Sequence, residues 1–459
     1  MWAIFADFMA FFDPTVTWRG KSYRFDVDVI RAAPLVCGTN LRDAADLVLD
    51  NCMHHWLPFY RSWTHTAVNS GVQFLNNGLT FRSLHKHNAY DLLSRAMHPR
   101  DRHPKTVMLP EYYPYTADQE KQMWWENEQK MTVESTSLGF DPERSVVDQR
   151  QLKLKVHAFR RLQGRLRQMR VTHYPAGNYL KEVVEQHFGG KFPLYLKPMM
   201  GFDGTDVSRI NNLEELYQAY DRTRGEGFHL QEGIDDYDVF VRCMSVGPQV
   251  LTMRFLRDEP IHLHYSAERF ELEPDMAGRL RNYVRFINSY HRWNHNAFEA
   301  LVKDGAIHPI DYANTCPDSS LMSLHVHFPW LICALVRWCT FVVVAEVDLR
   351  SDMEQKMYAE FLNDSTKSAE EKYEACRQLS HAYFRTEEFA EYCASGLQGL
   401  EEAMARYYDA NAERMVDRLL RTSTFQPHEI EHFVRQYLEK MNTCFRPNAS
   451  QYLTAGVPC

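Results

Sequence analysis

The stretch Ala297-Phe-Glu299-Ala-Leu-Val302-Lys-Asp304-Gly305-Ala-Ile-His-Pro-Ile-Asp311-Tyr-Ala-Asn314 reads as two strands joined by a turn. The turn Lys303-Asp304-Gly305 joins the apolar run that ends at Val302 to the one that starts at Ala306, a hairpin. Folded this way, Glu299 and Asp311 come together on facing strands, and Asn314 lies just beyond. Two carboxylates and an amide oxygen are hard donors that suit Mg²⁺ bridging nucleotide phosphates. Facing carboxylates repel unless a cation or a proton lies between them. The plainer alternative is a solvated hairpin whose acids face water.

Two upstream segments carry related chemistry. Pro193-Leu-Tyr-Leu-Lys197-Pro-Met-Met-Gly201-Phe-Asp-Gly204-Thr-Asp-Val207 places one lysine on an apolar strand ahead of a loop with two glycines. Glycines let backbone N–H groups approach phosphate oxygens, and a strand lysine supplies a fixed positive charge. An ordinary edge lysine beside a glycine turn is the competing account. Phe228-His-Leu-Gln231-Glu232-Gly-Ile-Asp-Asp-Tyr-Asp238 ends a strand in Gln-Glu and enters an acidic loop. Such an end suits backbone contacts to an adenine edge and a carboxylate on ribose hydroxyls, or simply solvated acids.

The chain has 459 residues, too many for one growing hydrophobic core, so two to four domains are expected. Hydrophobic residues make up 45% and charged ones 24%, the balance of a soluble globular protein without long disorder. The net charge of −8 gives no support to nucleic-acid binding. Residues 328–345 are long and apolar enough to suggest a membrane span. Arg337 and Pro329 argue instead for a buried helix and strand, and no membrane partner is expected. Met1 to Phe12, with Asp7 inside it, reads as a first strand or helix rather than a secretory signal. Ten cysteines without a CxxC pair or a regular framework fit a reducing compartment, so the cytoplasm is expected.

Along the chain, Leu47 to Tyr60 and Ser83 to Met97 read as helical, and Gly71 to Leu75 as a strand ending in a turn. Pro104 to Pro110 suits an edge strand. From about 116 to 170 the sequence is highly charged, a largely helical insertion whose Arg-rich half either faces water or touches an anionic substrate. Strands are expected at 194–197, 207–210, 228–231 and 239–253, with a helix at 213–223. The tail reads as amphipathic helices, among them 387–421 and 428–441. His325 and His327 alternate on what reads as an extended stretch, as do His262 and His264. Neither pair has a third ligand at a recognisable spacing, so no transition metal is expected. Asp318 and Ser323 either reach a substrate or serve a helix N-terminus.

In this order and at these separations the three segments resemble the ATP-grasp superfamily, as seen in D-alanine–D-alanine ligases and ribosomal-protein glutamate ligases. The resemblance covers roughly residues 30 to 345. It implies an α+β / α/β ATP-grasp fold: an N-terminal α/β domain (1–102), a central lid domain (103–228) holding the insertion, a C-terminal antiparallel-sheet domain (229–347) with the metal site, and a helical extension (348–459). It implies that Lys197, Gly201 and Gly204 contact phosphates, that Gln231 and Glu232 form the adenine hinge, and that Asp238 binds ribose. Glu299, Asp311 and Asn314 would then hold Mg²⁺, with Mn²⁺ a compatible substitute. Lys86, ahead of Pro104-Lys105-Thr106, matches the first nucleotide-contacting lysine, with Lys105 a nearby rival. Arg242 and Arg254 match arginines that bind phosphate or a substrate carboxylate, or they serve structural ion pairs.

One departure matters. The family's last metal segment is Glu-x-Asn, whereas here it is Asp311-Tyr-Ala-Asn314, one residue longer with a shorter acid. A bulge would absorb the extra residue; otherwise metal binding is altered. Some uncharacterised bacterial ATP-grasp proteins end in a similar Asp-x-x-Asn pattern. The activity implied is ATP-dependent ligation of a carboxylate to an amine, both small molecules (an amino acid or a peptide), with a homodimer left open. Two rivals stand: a kinase of the same superfamily that phosphorylates a small molecule, and a non-catalytic nucleotide-binding protein whose helical tail holds a partner.

Overall fold

The computed structural model describes residues 1–28, 45–49, 58–76, 86–109, 179–199, 207–222, 227–260, 263–314, 316–349, 356–421 and 426–458. Gly201, Gly204, His262 and the 116–170 insertion lie outside them. The chain folds as a mixed α and β protein with antiparallel sheets, and it divides into two compact units. Unit 1 joins Met1–His103 to Asp236–Cys459, and unit 2 is Pro104–Asp235.

Unit 1 opens with helix α1 (Trp2–Phe12) and the hairpin β1 (Thr15–Trp18) to β2 (Lys21–Arg24). Strand β3 (Leu47–Leu49), helix α2 (Pro58–Asn69), strand β4 (Gln73–Leu75) and helix α3 (Lys86–Ser94) follow. The helix expected over 47–60 is therefore corrected at its start: Leu47–Leu49 pairs in parallel with Gln73–Leu75. A three-residue apolar run has no period of its own, and its partner strand decides its state.

Among the described residues, unit 2 is a four-stranded antiparallel sheet with two helices. It contains β5 (Thr106–Leu109), α4 (Tyr179–Phe188), β6 (Leu194–Pro198), β7 (Ser208–Ile210), α5 (Leu213–Arg222) and β8 (Phe228–Glu232). The order is β5-β8-β6-β7, which puts Thr106–Leu109 on an edge as its flanking prolines suggest. Leu194, Leu196, Phe228 and Leu230 point to one face and pack with Leu180, Val184 and Leu216 of the helices. Strand alternation leaves Tyr195, Lys197, His229 and Gln231 on the other face.

The chain returns to unit 1 with the sheet that carries the acids. Its strands are β9 (Val239–Val246), β10 (Gln249–Arg254), β11 (His295–Lys303) and β12 (Ala306–Asn314), in the order β10-β9-β11-β12. Asp304 and Gly305 have φ of 51° and 75°, the left-handed geometry that a two-residue hairpin turn demands. Helix α6 (Pro274–His291) covers one face through Leu280, Tyr283, Val284 and Ile287.

Short α7 (Leu321–Leu324) leads through a 3₁₀ turn (His325–His327) into α8 (Phe328–Val344). Here the expected helix and strand resolve into one helix, which is buried all round inside unit 1. A helix with no polar face shows no amphipathic period, so the sequence alone cannot separate it from a strand. Leu321–Val344 is long and apolar enough to cross a membrane, yet 94% of that window is buried in the protein. Arg337 reaches Glu401, the Leu453 carbonyl and Gln249. The tail adds α9 (Lys356–Leu362), α10 (Ala369–Phe384), α11 (Thr386–Ser395), α12 (Leu400–Arg421), α13 (Pro427–Lys440) and α14 (Ala449–Thr454). The helix expected over 387–421 is thus two helices, because Gly399 at φ 76° turns the chain between them. Phe389, Tyr392, Met404 and Tyr407 of this tail share a core with Phe8 of α1 and with α8.

Candidate active site

Asp311 and Asn314 are three residues apart, a spacing that puts side chains on opposite faces of a regular strand. The register of β12 on β11 removes the conflict. Ala297 pairs with Asn314, Glu299 with Asp311, and Ala300 with Pro309. From Ala297 to Glu299, β11 advances two positions while β12 covers three, so β12 carries an extra residue between Asp311 and Asn314. A second extra residue, Ile310, lies on the other side of Asp311. Such bulges re-aim side chains. Asn314 therefore shares a face with Ala297, and so with Glu299 and Asp311.

The same face extends to β9, where Arg242 pairs with Glu299 in register. Arg242 Nη1 lies 3.4 Å from Glu299 Oε1. Its guanidinium sits 5.5 Å from the Phe255 ring centroid and 5.6 Å from that of Tyr265. Burial opposes the charge, but Tyr265 and the carboxylates of Glu299, Asp318 and Asp311 outweigh it and raise the pKa above the usual arginine value. The opposite edge of the site is supplied by α3. Lys86 Nζ donates to Asp311 Oδ2 at 2.5 Å. Tyr90 Oη donates to the Ile310 carbonyl at 2.9 Å, and Tyr312 Oη to the Ala89 carbonyl at 3.3 Å, which fastens α3 to the bulged strand. Burial, and then nearby Asp311, push both phenols far above their ordinary pKa, so both remain donors.

The chemistry of this donor set fits a hard divalent cation. Asn314 Oδ1 is buried with no hydrogen-bond partner among the described residues, a cost of about 1–3 kcal/mol that a bound cation would remove. Side-chain exposures of 23% for Glu299 and 30% for Asp311 leave both carboxylates reachable. No group of three or more His, Cys, Asp and Glu able to hold a metal occurs among the described residues. Here the third protein donor is an amide, and a Mg²⁺ would take its remaining ligands from phosphates and water.

Unit 2 carries a separate polar chain. Lys197 Nζ donates to Gln231 Oε1 at 2.8 Å, and Gln231 Nε2 donates to Thr106 Oγ1 at 2.8 Å. Thr106 in turn donates to the Pro104 carbonyl at 2.9 Å. Lys197 is buried, with the Tyr195 ring centroid 6.0 Å from its ammonium. This arrangement fixes a positive charge on a rigid strand. At the strand end, the Glu232 amide donates to the Lys105 carbonyl at 2.8 Å and the Gly233 amide to the Pro193 carbonyl at 3.0 Å. Glu232 Oε2 accepts from the Lys105 amide at 3.2 Å. Those two strand-end amides are committed to the sheet.

No family model matches this sequence, and no curated protein does. The solved structures that match include D-alanine–D-alanine ligase from Bacillus anthracis in complex with ATP. It aligns over 75% of this chain and 81% of its own, at 10% identity and a TM-score of 0.36. VanG D-Ala:D-Ser ligase from Enterococcus faecalis aligns over 73% of each chain, at 12% identity and a TM-score of 0.35. An ATP-grasp RimK domain protein from Sphaerobacter thermophilus aligns over 60% of this chain and 75% of its own, at 13% identity and a TM-score of 0.34.

The expected site residues thus sort into sets. Glu299, Asp311, Asn314, Arg242 and Lys86 gather in unit 1, while Lys197, Gln231 and Glu232 lie in unit 2. Asp238 belongs to unit 1, is exposed, and its Oδ2 accepts from the Asp304 amide at the hairpin turn, 2.9 Å away. Arg254 is also exposed and pairs with Val241, so alternation gives it the face opposite to Arg242. Asp318 caps its own turn by accepting from the Ser320 amide, and Ser323 is buried in α7. The extended stretch expected around His325 and His327 is corrected to a 3₁₀ turn. There the two rings donate from Nε2 to the carbonyls of Tyr265 and Ser266. Sequence reasoning did not find Phe255 and Tyr265, whose only signal is an aromatic at each end of a loop. Nor did it find Asn296.

Proposed function

We propose that this chain is an ATP- and Mg²⁺-dependent ligase of the ATP-grasp kind, acting in the cytoplasm on a small-molecule carboxylate and an amine or similar nucleophile. The observation that carries the reading is the bulged face of β12, where the register puts Glu299, Asp311 and Asn314 on one side and Asn314 Oδ1 is buried with no hydrogen-bond partner among the described residues. Glu299, Asp311 and Asn314 are the residues to hold the cation, which would offset charge on the transferring phosphoryl group. Lys197, kept in place by Gln231 and Thr106, is the residue to meet nucleotide phosphates. In the reaction, a substrate carboxylate oxygen takes the γ-phosphoryl group and ADP leaves. The amine then attacks the acyl carbon, phosphate departs, and the amine loses a proton. Arg242, cationic at every accessible pH, suits the carboxylate or the acyl phosphate. Positioning and fixed charge carry this chemistry, and no general base is identified among the described residues.

The decisive experiment is an ADP-release screen against pools of carboxylates and amines, with products read by mass spectrometry. ADP together with an amide supports the ligase. A stable phosphorylated product without an amide moves the assignment to a kinase. Tight ATP binding without turnover across the pools moves it to a non-catalytic nucleotide-binding protein.

A further inference from the structure

The bulge that brings Asp311 and Asn314 to one face takes backbone groups out of the regular ladder, and those groups need partners. One side chain supplies two of them. Asn296, fully buried on β11, accepts from the Asn314 amide through Oδ1 at 2.9 Å and donates from Nδ2 to the Tyr312 carbonyl at 2.9 Å. Its carboxamide thus stands in for a peptide group of the neighbouring strand across the displaced segment. Asn296 Nδ2 also donates to Asn288 Oδ1 at 2.9 Å. Asn288 Nδ2 donates to Ser245 Oγ, and Ser245 Oγ donates to the Asn296 carbonyl, each at 2.9 Å. The ring Asn296–Asn288–Ser245 is closed and entirely buried, with one member each from β11, α6 and β9.

We infer that Asn296 is a positioning residue for the divalent cation: its carboxamide holds the bulge in the shape that turns Asn314 toward Glu299 and Asp311. The inference rests on the metal reading proposed above and adds a residue that touches neither metal nor substrate. Outer partners of this kind typically change metal affinity by about 10- to 100-fold when removed. The ring member Ser245 holds Asn296 through its backbone carbonyl and leaves the carboxamide's two bonds to β12 intact. It therefore separates support of the fold from support of the site.

The test is Mn²⁺ binding in the presence of ADP, followed by the electron paramagnetic resonance of free Mn²⁺, on the full chain. Asn296→Ala, Asn296→Ser, Ser245→Ala and Asp311→Asn would be compared with wild type. Unfolding midpoints would be recorded on the same samples. The expected result is binding by wild type, loss in Asp311→Asn, weakening by about 10- to 100-fold in whichever Asn296 variants are folded, and a change under twofold in Ser245→Ala. A folded Asn296 variant with wild-type Mn²⁺ affinity overturns the positioning role while leaving the metal site in place. Equal weakening in Ser245→Ala does the same, and so does failure of both Asn296 variants to fold, since the residue would then serve the fold alone. Absence of Mn²⁺ binding in wild type, or unchanged binding in Asp311→Asn, removes the metal reading itself and the inference with it.

Discussion

Lys86 Nζ donates to Asp311 Oδ2 at 2.5 Å, which places an ammonium on a carboxylate proposed to receive the metal. A cation binding at Asp311 must share or displace that contact. Lys86→Met is therefore expected to raise Mn²⁺ affinity in the absence of nucleotide, by about 2- to 5-fold for a partly buried pair worth up to roughly 1 kcal/mol. Titration by electron paramagnetic resonance checks this. Unchanged or weakened binding would show that the ammonium and the metal do not compete.

Lys197 and Glu299 carry the two charges on which the proposed turnover depends. Lys197→Ala and Glu299→Ala are each expected to abolish Mg²⁺-dependent ADP release, a fall of at least about 10²- to 10³-fold. Circular dichroism would confirm that each variant stays folded. Wild-type-like turnover in either variant sinks its assignment to the site.

A stability prediction concerns Asp101, whose side chain is fully buried beside Arg279. It accepts from Arg279 Nε at 2.7 Å, from Tyr283 Oη at 2.5 Å and from the Ile307 amide at 2.9 Å, tying α6 to β12. Asp101→Asn leaves the buried guanidinium with only the exposed Asp275 as counter-charge and should cost about 3–5 kcal/mol, read from urea midpoints. A loss below about 1 kcal/mol would mean that Asp275, the other carboxylate on Arg279, suffices on its own.

Buried histidines should weaken the fold in acid. Burial lowers the pKa of His291 to about 3 and, opposed in each case by a backbone carbonyl, those of His295 and His327 to about 4. Each ring stays neutral in the fold, whereas in the unfolded chain it takes up a proton below its ordinary value near 6.5. The unfolded state then binds more protons, so stability falls as pH drops from about 6.5 toward 4, by up to about 1.4 kcal/mol per pH unit per histidine. His327→Gln should flatten that slope by about one proton. Unfolding free energies at pH 7, 6 and 5 give the comparison, and an unchanged slope would contradict it.

The hairpin was legible because two local signals agreed: the Asp304-Gly305 turn and the apolar residues flanking it. Lys197 on its strand was legible for the same kind of reason, since Leu194 and Leu196 mark the apolar face and the lysine takes the other. Lys86 was found as a residue but not in its contact, because its partner lies 225 positions along the chain. The Arg242 cage was invisible for similar reasons: Phe255 and Tyr265 flank one loop and meet the guanidinium only after β9 and β10 pair. Asn296 lies within the decisive hairpin, yet its role exists only once the bulge has displaced the groups it bonds. A polar residue on a buried strand face is a local conflict, and such conflicts are where tertiary structure or function is written.

The bulge on β12 also bears on how sites of this type are to be searched for. A fixed string that demands one acid, one intervening residue and one amide would pass over Asp311 and Asn314, and a string with an added wildcard would collect every regular strand in which the two point apart. Strand parity is the quantity that separates these cases. A gap of odd count marks a shared face when the adjoining strand offers a buried carboxamide to the peptide groups that flank the surplus residue, as Asn296 does here. A template written on two strands at once would therefore recover this geometry where a linear motif loses it.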